Sequence, residues 1–256
     1  MGRDEEIGSV VKAFNVLQVF SETLPKATIT QVAEKTGYTR PTARRILLTC
    51  VSQQFMATDG KYFWLTPKVM RLGFGYLSAL PFWEMAQPHM RVLAEELDES
   101  CSLATLDGAE IVYLARVPVR RGMIPLQVGS RLPAHATALG KALLAFADPA
   151  TVEDFLAGAP YEELTPNTIT RSAALAKEFE QTRSRGFAVN EGEREIGVRS
   201  IAAPVLDRSG VAVAALNISV NAVRVSETAL TQVYAPKLLE TARTISSEIA
   251  FVPSNR

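Results

Sequence analysis

Apolar residues in the first 22 positions recur at intervals of three or four. They are Val10, Ala13, Phe14, Leu17 and Phe20. This spacing predicts an amphipathic helix from about residue 5 to residue 22, which the pair Leu24–Pro25 ends.

End signals predict two further helices. Thr30 is the expected N-cap of a short helix over 31–36, and Gly37 supplies the left-handed residue that stops it. Thr39 is the expected cap of the third helix, whose first turn tolerates Pro41 because no backbone hydrogen bond is lost there. Two helices joined in this order by a glycine turn are typical of a helix-turn-helix.

The third helix has one apolar and one polar face. Positions i, i+3, i+4 and i+7 predict its buried stripe, formed by Ala43, Ile46, Leu47 and Cys50. Arg45 points away from this stripe, and Thr42 and Arg44 flank it. Arg40 lies in the first turn, where recognition helices usually meet base edges. We therefore expect this face to contact DNA.

A strand-like pattern follows the third helix. Residues 55–58 and 61–65 bracket Asp59–Gly60, a pair that favours a two-residue hairpin. The hairpin would form a wing with Lys61 near the DNA phosphates. Exposed arginines are also common in small helical bundles, but the whole series of elements favours a winged helix-turn-helix. The expected DNA-binding residues are Thr30, Thr39, Arg40, Thr42, Arg44, Arg45 and Lys61.

The pattern divides the chain into a winged helix-turn-helix over 1–66, a connecting helix over 67–80 and an effector-binding and oligomerisation domain over 81–256. The apolar residues of the connector cover too much of its circumference for a free linker. Strands beyond it are predicted at 102–106, 111–117, 124–128, 187–190, 198–206 and 211–220, and helices at 83–97, 136–146, 151–156, 173–184 and 226–250. Because these strands group around hairpins, the expected class is α+β, an antiparallel sheet flanked by helices.

The last predicted hairpin carries polar residues among small ones. If its loop is symmetric about residues 208–209, Ser200 faces Asn217, and Ser219 lies on the same face. The opposite face is apolar. Small residues with hydrogen-bonding groups predict a covered cavity with polar anchors, and a solvent-facing sheet edge is the alternative.

A second candidate site lies in the segment 129–142, where a loop turns into a helix near Thr137. The start of a helix presents free backbone N–H groups and the positive end of the helix dipole, which suit an anion. Every helix has such an end, so the signal is weak by itself. His135 in this loop is more often structural than catalytic.

Composition excludes several classes of protein. The chain has 47% hydrophobic and 21% charged residues, as expected of a compact fold. No apolar run reaches the roughly 18 residues of a membrane helix, and the acidic start of the chain does not resemble a secretory signal, so we expect a cytoplasmic protein with no membrane partner. Two cysteines and two histidines provide no disulfide framework and no metal-ligand spacing. No cofactor is expected.

The formal net charge of zero hides an asymmetry. Residues 28–71 include seven basic and two acidic side chains, a net charge of +5, so the remainder carries −5. A basic segment attached to an acidic remainder indicates a module that faces nucleic acid.

Three motifs together resemble the IclR family of transcription regulators across nearly the whole chain. They are the helix-turn-helix with its connector, RLPAHATALGKA at 131–142, and GVRSIAAPV at 197–205. The resemblance implies a GAF-like effector domain and dimers that can pair into tetramers. The sequence is similar to members that control aromatic-acid catabolism, which implies a small carboxylate effector such as β-ketoadipate or protocatechuate.

The resemblance also implies which residues bind the effector. Backbone amides at the start of the helix near 137 would hold it, and polar side chains of the last strands would complete the pocket. The expected effector-binding residues are Ala138, Leu139, Asn190, Ser200, Asn217 and Ser219. Position 200 is often cysteine and position 190 often acidic in relatives. A neutral Asn190 would repel a second carboxylate less than an acid would, consistent with a dicarboxylate or an aromatic acid.

Two other classes of protein are alternatives. An enzyme lacks support, because the chain has no Ser-His-acid order, no glycine-rich phosphate loop and no zinc signature. An effector-independent DNA-binding protein would leave the domain from residue 81 onward without a role. We therefore expect a regulator that is not an enzyme, binds double-stranded operator DNA and a small carboxylate, and self-associates as a dimer or dimer of dimers.

Overall fold

The computed structural model describes residues 6–118 and 126–249. The chain divides into two compact units, Met1–Ala79 and Leu80–Arg256. None of the helices in the described ranges is both long and apolar enough to cross a membrane.

The N-terminal unit is a three-helix bundle followed by a hairpin and a fourth helix. Its elements are α1 (Gly8–Leu17), α2 (Ile29–Thr36), α3 (Arg40–Ser52), β1 (Met56–Thr58), β2 (Phe63–Leu65) and α4 (Met70–Ser78), which follows a 3₁₀ turn, Pro67–Val69. Its core is formed by side chains such as Val16, Val32, Ala43, Leu47, Met56 and Phe63. The predicted order of a winged helix-turn-helix is confirmed.

Helix α1 is shorter than the predicted span of 5–22. It begins at Gly8 and ends at Leu17. The chain then turns, because Ser21 and Leu24 exchange two backbone hydrogen bonds, of 3.3 and 3.1 Å. A tight turn over these residues is incompatible with a helix continuing to residue 22.

Helix α2 begins earlier than predicted, and its N-cap is Thr28 instead of Thr30. Thr28 forms a capping box with Gln31. The Gln31 amide donates to Thr28 Oγ1 at 3.3 Å, and the Thr28 amide donates to Gln31 Oε1 at 2.9 Å. This reciprocal pair satisfies two free donors, whereas a cap at Thr30 would satisfy one. The predicted stop at Gly37 is confirmed by its positive φ of 71°.

The wing is a four-residue hairpin instead of the predicted two-residue one. Strand pairing stops at Thr58 and Phe63. The carboxylate of Asp59 accepts hydrogen bonds from the amides of Lys61 (3.0 Å) and Tyr62 (2.8 Å). These bonds stabilise a wider turn, so Lys61 lies within the loop.

The C-terminal unit contains a six-stranded antiparallel sheet with the order β5-β4-β3-β8-β7-β6. Its strands are β3 (Ser100–Asp107), β4 (Glu110–Val117), β5 (Arg131–Pro133), β6 (Ala188–Glu191), β7 (Val198–Leu206) and β8 (Ala212–Asn221). Its helices are α5 (Pro81–Leu97), α6 (Ala138–Ala145), α7 (Pro149–Ala157), α8 (Ser172–Arg185), the single turn α9 (Glu227–Ala229) and α10 (Ala235–Ile249), with a 3₁₀ turn at Ala134–Ala136 and a π turn at Leu230–Tyr234. Helices α6, α7 and α8 cover one sheet face, and α5 and α10 contact each other and the sheet. The expected α+β class is confirmed.

The strand predicted over 124–128 is not observed at 126–128, and residues 124 and 125 lie outside the described ranges. A turn occupies this segment. The Ser130 amide donates to the carbonyl of Gln127 at 3.0 Å, and Ser130 Oγ accepts from the Gln127 amide at 2.9 Å. The strand that pairs with β4 is instead β5, which starts at Arg131.

Strands β7 and β8 pair two residues away from the predicted register. Ser200 pairs with Ser219, and Ala202 pairs with Asn217. The ladder has an irregularity at residues 205–206 beside the loop, which a symmetric-loop assumption ignores. Because the error is an even number of residues, all three polar side chains still share one face.

Candidate functional site

A cavity of about 260 Å³ is bounded by the start of α6, the sheet and the loop between β6 and β7. The structure brings together at this cavity all six residues that were predicted to bind the effector: Ala138, Leu139, Asn190, Ser200, Asn217 and Ser219. Sequence reasoning missed other lining residues, among them Tyr113, Arg116, Leu126, Arg194 and Ile196.

The start of α6 supplies free backbone donors. Thr137 is the N-cap, and its Oγ1 accepts from the Gly140 amide at 3.0 Å. Ala138 and Leu139 occupy the first two helical positions, where amides have no acceptor within the helix. Both residues line the cavity, so their N–H groups and the positive end of the helix dipole are available to an anion there.

Gly140 permits the close contact between α6 and the 3₁₀ turn before it. A Cβ atom at this position would lie 2.1 Å from the carbonyl oxygen of Ala134 and 2.4 Å from its Cα. Only glycine therefore allows the turn to fold back onto the first turn of α6.

Polar side chains form two adjacent rows across the sheet. Strand pairing places Ser100, Ser219, Ser200 and Asn190 in one row, and Arg116, Ser102 and Asn217 in the next. Arg116 Nη1 donates to Ser102 Oγ at 3.2 Å, and Asn217 Nδ2 donates to Ser219 Oγ at 3.1 Å. Asn217 is 4% exposed, and its Oδ1 is buried without a hydrogen-bond partner in the part of the chain that the structure describes.

A β-bulge brings Arg116 to the cavity. In a regular strand, Tyr113 and Arg116 would point to opposite faces, because they are three positions apart. The β3–β4 ladder shifts register here, so Leu114 is an extra residue and both side chains reach the cavity face. Trp83 Nε1 donates to the Leu114 carbonyl at 2.9 Å. Arg116 is the only charged residue in the run 111–117, a signal that sequence reasoning could have used.

The loop between β6 and β7 is attached to the start of α6 through Asn190. Asn190 Nδ2 donates to the carbonyl of Ala136 at 2.8 Å, and its Oδ1 accepts from the Glu193 amide at 3.3 Å. Both polar atoms of this side chain are therefore engaged within the protein. Asn190 lines the cavity and also positions the loop that carries Arg194.

A buried ion pair lies behind this loop. Lys141 of α6 is 1% exposed; its Nζ donates to the Val189 carbonyl at 2.9 Å and pairs with Glu193. The second carboxylate near Nζ belongs to Glu178, at 3.8 Å. Burial raises the pKa of Glu193, and the Lys141 ammonium opposes this shift. The pair connects α6 to the residue that precedes Arg194.

The cavity has an excess of positive charge. Arg194 pairs with Glu195 at 3.0 Å. Arg116 has no carboxylate within ion-pair distance among residues 6–118 and 126–249. Burial raises the pKa of the Tyr113 phenol, and the charges of the two arginines act in the opposite direction. A guanidinium that has no carboxylate partner in the described ranges and a helix N-terminus favour a ligand with an anionic group.

His135 has a structural environment. It is 2% exposed, its ring stacks on Tyr161 with the centroids 4.8 Å apart, and its Nε2 lies 3.0 Å from the Glu162 carbonyl. Burial lowers the pKa of its imidazole. No group of three or more His, Cys, Asp or Glu residues within the described ranges could hold a metal ion.

Helix α3 presents the basic residues predicted to contact DNA. Arg40, Arg44 and Arg45 are exposed, and Lys61 is exposed in the wing loop. The hydroxyl groups of Thr39 and Thr42 are hydrogen-bonded to each other at 2.9 Å, and the Thr39 hydroxyl also caps the helix. Thr30 is half-buried within α2. Their roles in DNA binding stay predictions.

Sequence reasoning missed Lys26, another basic residue beside the wing. Its ammonium lies 4.6 Å from the centre of the Trp64 ring. The residue precedes the basic segment by two positions, so charge counting over 28–71 did not include it.

Comparison with known proteins identifies related chains of similar length. The family model of the IclR helix-turn-helix domain matches residues 9–60, and that of the bacterial transcriptional regulator IclR C-terminal domain matches residues 74–247. The Pca regulon regulatory protein of Pseudomonas putida is 35% identical over 250 residues, which cover 97% of this chain and 86% of that protein.

Solved structures show the same fold. A transcriptional regulator from Rhodococcus sp. RHA1 superposes with a TM-score of 0.84 at 40% identity, covering 97% of this chain and 100% of that one. An IclR homologue from Microbacterium hydrocarbonoxydans, solved with 4-hydroxybenzoate, has a TM-score of 0.82 at 25% identity, covering 94% and 98%. Because one family model matches more than half of the chain and the relative from Pseudomonas spans nearly all of it, the chain belongs to the IclR family of bacterial transcriptional regulators.

Proposed function

We propose that this regulator binds operator DNA through α3 and the wing and controls aromatic-acid catabolism in response to a small carboxylate bound in the cavity. The observation that carries the proposal is the cavity itself, where the amides at the start of α6 and a guanidinium with no carboxylate partner among the described residues face the same space. Similarity to the Pca regulon regulatory protein supports the pathway, and the 4-hydroxybenzoate bound to the Microbacterium homologue supports the ligand class.

In this proposal the effector carboxylate accepts hydrogen bonds from the amides of Ala138 and Leu139. Ser200, Asn217 and Ser219 orient the remainder of the molecule from the sheet. A volume of about 260 Å³ suits one small molecule of the size of β-ketoadipate or protocatechuate.

The proposed DNA contacts divide into two kinds. Arg40, Arg44 and Arg45, with Thr42, would lie in the major groove, where arginine reads guanine through paired hydrogen bonds. Lys61 would neutralise a phosphate without reading sequence. Thr30 and Thr39 would lie at the edge of this surface.

Self-association is the remaining part of the proposal. A single helix-turn-helix reads one half-site, so a dimer reads a two-fold operator. Helix α4 supports this arrangement because none of its side chains is buried within the described part of the chain, although it carries Met70, Leu72, Phe74 and Tyr76, which are 50–75% exposed. An apolar helix of this kind needs a partner, and a second copy supplies it as a dimer or dimer of dimers.

A ligand screen tests the sensing function. Aromatic acids and short dicarboxylates are added to the full-length protein, and the thermal shift and operator affinity are measured together. We expect at least one of these acids to raise the melting temperature and to change operator affinity.

The variant Ser200→Leu tests whether the response to the acids arises in the cavity. It should fill the cavity and abolish the thermal shift while operator binding without ligand survives. The alternative of an effector-independent DNA-binding protein requires that none of the acids changes either quantity.

A further inference from the structure

The cavity contains polar groups that a carboxylate at α6 does not use. Asn217 Oδ1 is buried and accepts no hydrogen bond from the described residues, an arrangement that is rare in folded proteins unless a ligand or water supplies the donor. Arg116 lies in the same row across the sheet, with Ser102 between the two residues, lines the cavity and has no carboxylate partner in the described part of the chain. The Arg116 guanidinium extends toward Asn217, because its Nη1 donates to Ser102 Oγ at 3.2 Å, so a free acceptor and free donors flank Ser102 on one sheet face.

Their position is across the cavity from the start of α6. The side-chain amide of Asn190 on β6 donates a hydrogen bond to the carbonyl of Ala136, just before α6. Glu110 at the start of β4 pairs with Pro133, immediately before the 3₁₀ turn that leads into α6, whereas Arg116 lies near the opposite end of β4. A ligand whose carboxylate binds the α6 amides therefore directs its far end toward Arg116 and Asn217.

We propose that Arg116 and Asn217 form a second polar subsite, which binds a hydroxyl group at the end of the effector remote from its carboxylate. This inference rests on the proposed function. A hydroxyl oxygen accepts from the Arg116 guanidinium, and its hydrogen is donated to Asn217 Oδ1, so one group satisfies both side chains. A second carboxylate would satisfy Arg116 but would place its oxygens against Asn217 Oδ1. An unsubstituted ligand would leave Asn217 Oδ1 without a donor and the remaining Arg116 donors without an acceptor on the ligand, which disfavours its binding.

The subsite depends on the β-bulge at Leu114, which turns the Arg116 side chain to the cavity face. Without the extra residue, Arg116 would point to the other face of the sheet, toward the side that Trp83 contacts. Arg116 also uses only one of its donors on Ser102 Oγ, at 3.2 Å, so further N–H groups of the guanidinium remain for a ligand.

The test compares binding constants for four probes: benzoate, 3-hydroxybenzoate, 4-hydroxybenzoate and benzene-1,4-dicarboxylate. Calorimetric titration of the full-length wild-type protein should show that the better hydroxybenzoate binds about tenfold or more tightly than benzoate and more tightly than the dicarboxylate. In Arg116→Met and in Asn217→Ala, the ratio of hydroxybenzoate to benzoate affinity should fall to within about threefold of unity, while benzoate affinity changes little.

Arg131→Gln is the matched control, because Arg131 is an exposed arginine that pairs with Asp107 and Glu110 outside the cavity. It should leave the ratio unchanged. The subsite is overturned if the wild-type ratio persists in both cavity variants, or if the dicarboxylate binds better than the hydroxybenzoates. Binding of aliphatic dicarboxylates alone would also reject the subsite but would preserve carboxylate sensing. Wild-type protein that binds none of these acids would overturn both proposals.

Discussion

Lys141 Nζ and the Glu193 carboxylate form an ion pair in which both side chains are more than nine-tenths buried. The pair joins the helix that begins at the cavity to the loop that covers it. Its loss therefore affects both packing and the position of Arg194.

Lys141→Met should lower the free energy of unfolding by about 3–5 kcal/mol, because it leaves the Glu193 carboxylate buried without a counter-charge. The double variant Lys141→Met/Glu193→Leu should recover most of this loss. Urea unfolding measures both. Lys237→Met is the control, since its pair with Glu96 is largely exposed and should contribute at most about 1 kcal/mol. Equal costs for the two single variants would contradict the assigned role.

Gly140→Ala should destabilise the C-terminal unit by about 1–3 kcal/mol, since the new Cβ would overlap the Ala134 carbonyl. It should also weaken the ligand-induced thermal shift by moving the α6 amides. Gly8→Ala on α1 is the matched control, because the replacement there brings the new Cβ within 4 Å of no neighbouring side chain or other segment of the described chain. Alanine favours the helix there, so this variant should be neutral or slightly stabilising. A neutral Gly140→Ala would argue against the close contact.

Arg45→Ala should cost about 1–3 kcal/mol of operator affinity and relax sequence preference at one position, if the arginine contacts a base edge. Lys61→Ala should weaken binding to all sequences alike and reduce the salt slope by about one unit. Electrophoretic mobility shifts over a range of salt concentrations separate the two effects. Unchanged sequence preference in Arg45→Ala would remove α3 as the reading helix.

Phe74→Glu on α4 should shift the protein toward monomer, because the apolar face of this helix would then carry a charge. Light scattering at micromolar concentration measures the mass. Lys68→Glu is a useful comparison, since it replaces a positive by a negative charge just before α4, outside that apolar face. A monomeric wild-type protein would reject the dimer directly.

Acid should destabilise the folded protein through His135. Burial lowers the pKa of this imidazole below its ordinary value of 6.5, so the unfolded chain binds a proton more readily. The resulting stability is fully present above pH 6.5 and is lost as pH falls through the lower folded pKa. His135→Gln should flatten the dependence of unfolding free energy on pH between about 7 and 5. A slope in His135→Gln equal to that of wild type would contradict this source of acid sensitivity.

Features that depend on a few consecutive residues could be predicted from the sequence alone. The cap at Thr39, the glycine stop at Gly37 and the start of α6 after Thr137 follow from contacts within one helical turn. The face shared by Ser200 and Asn217 also followed from alternation, which survives an even shift in register. Even at short range, competing signals caused errors, as at Thr28, where the capping box displaced the expected cap at Thr30.

Contacts between residues that are distant in the sequence depend on the packing of the whole domain. Alternation along β4 would place Tyr113 and Arg116 on opposite faces, and the bulge at Leu114 brings them together. Lys141 could not be paired with Glu193 from spacing, because 52 residues separate them. Strand pairing and buried ion pairs depend on the free energy of the whole packed sheet and its helices, whereas periodicity records only the preference of each segment for burial.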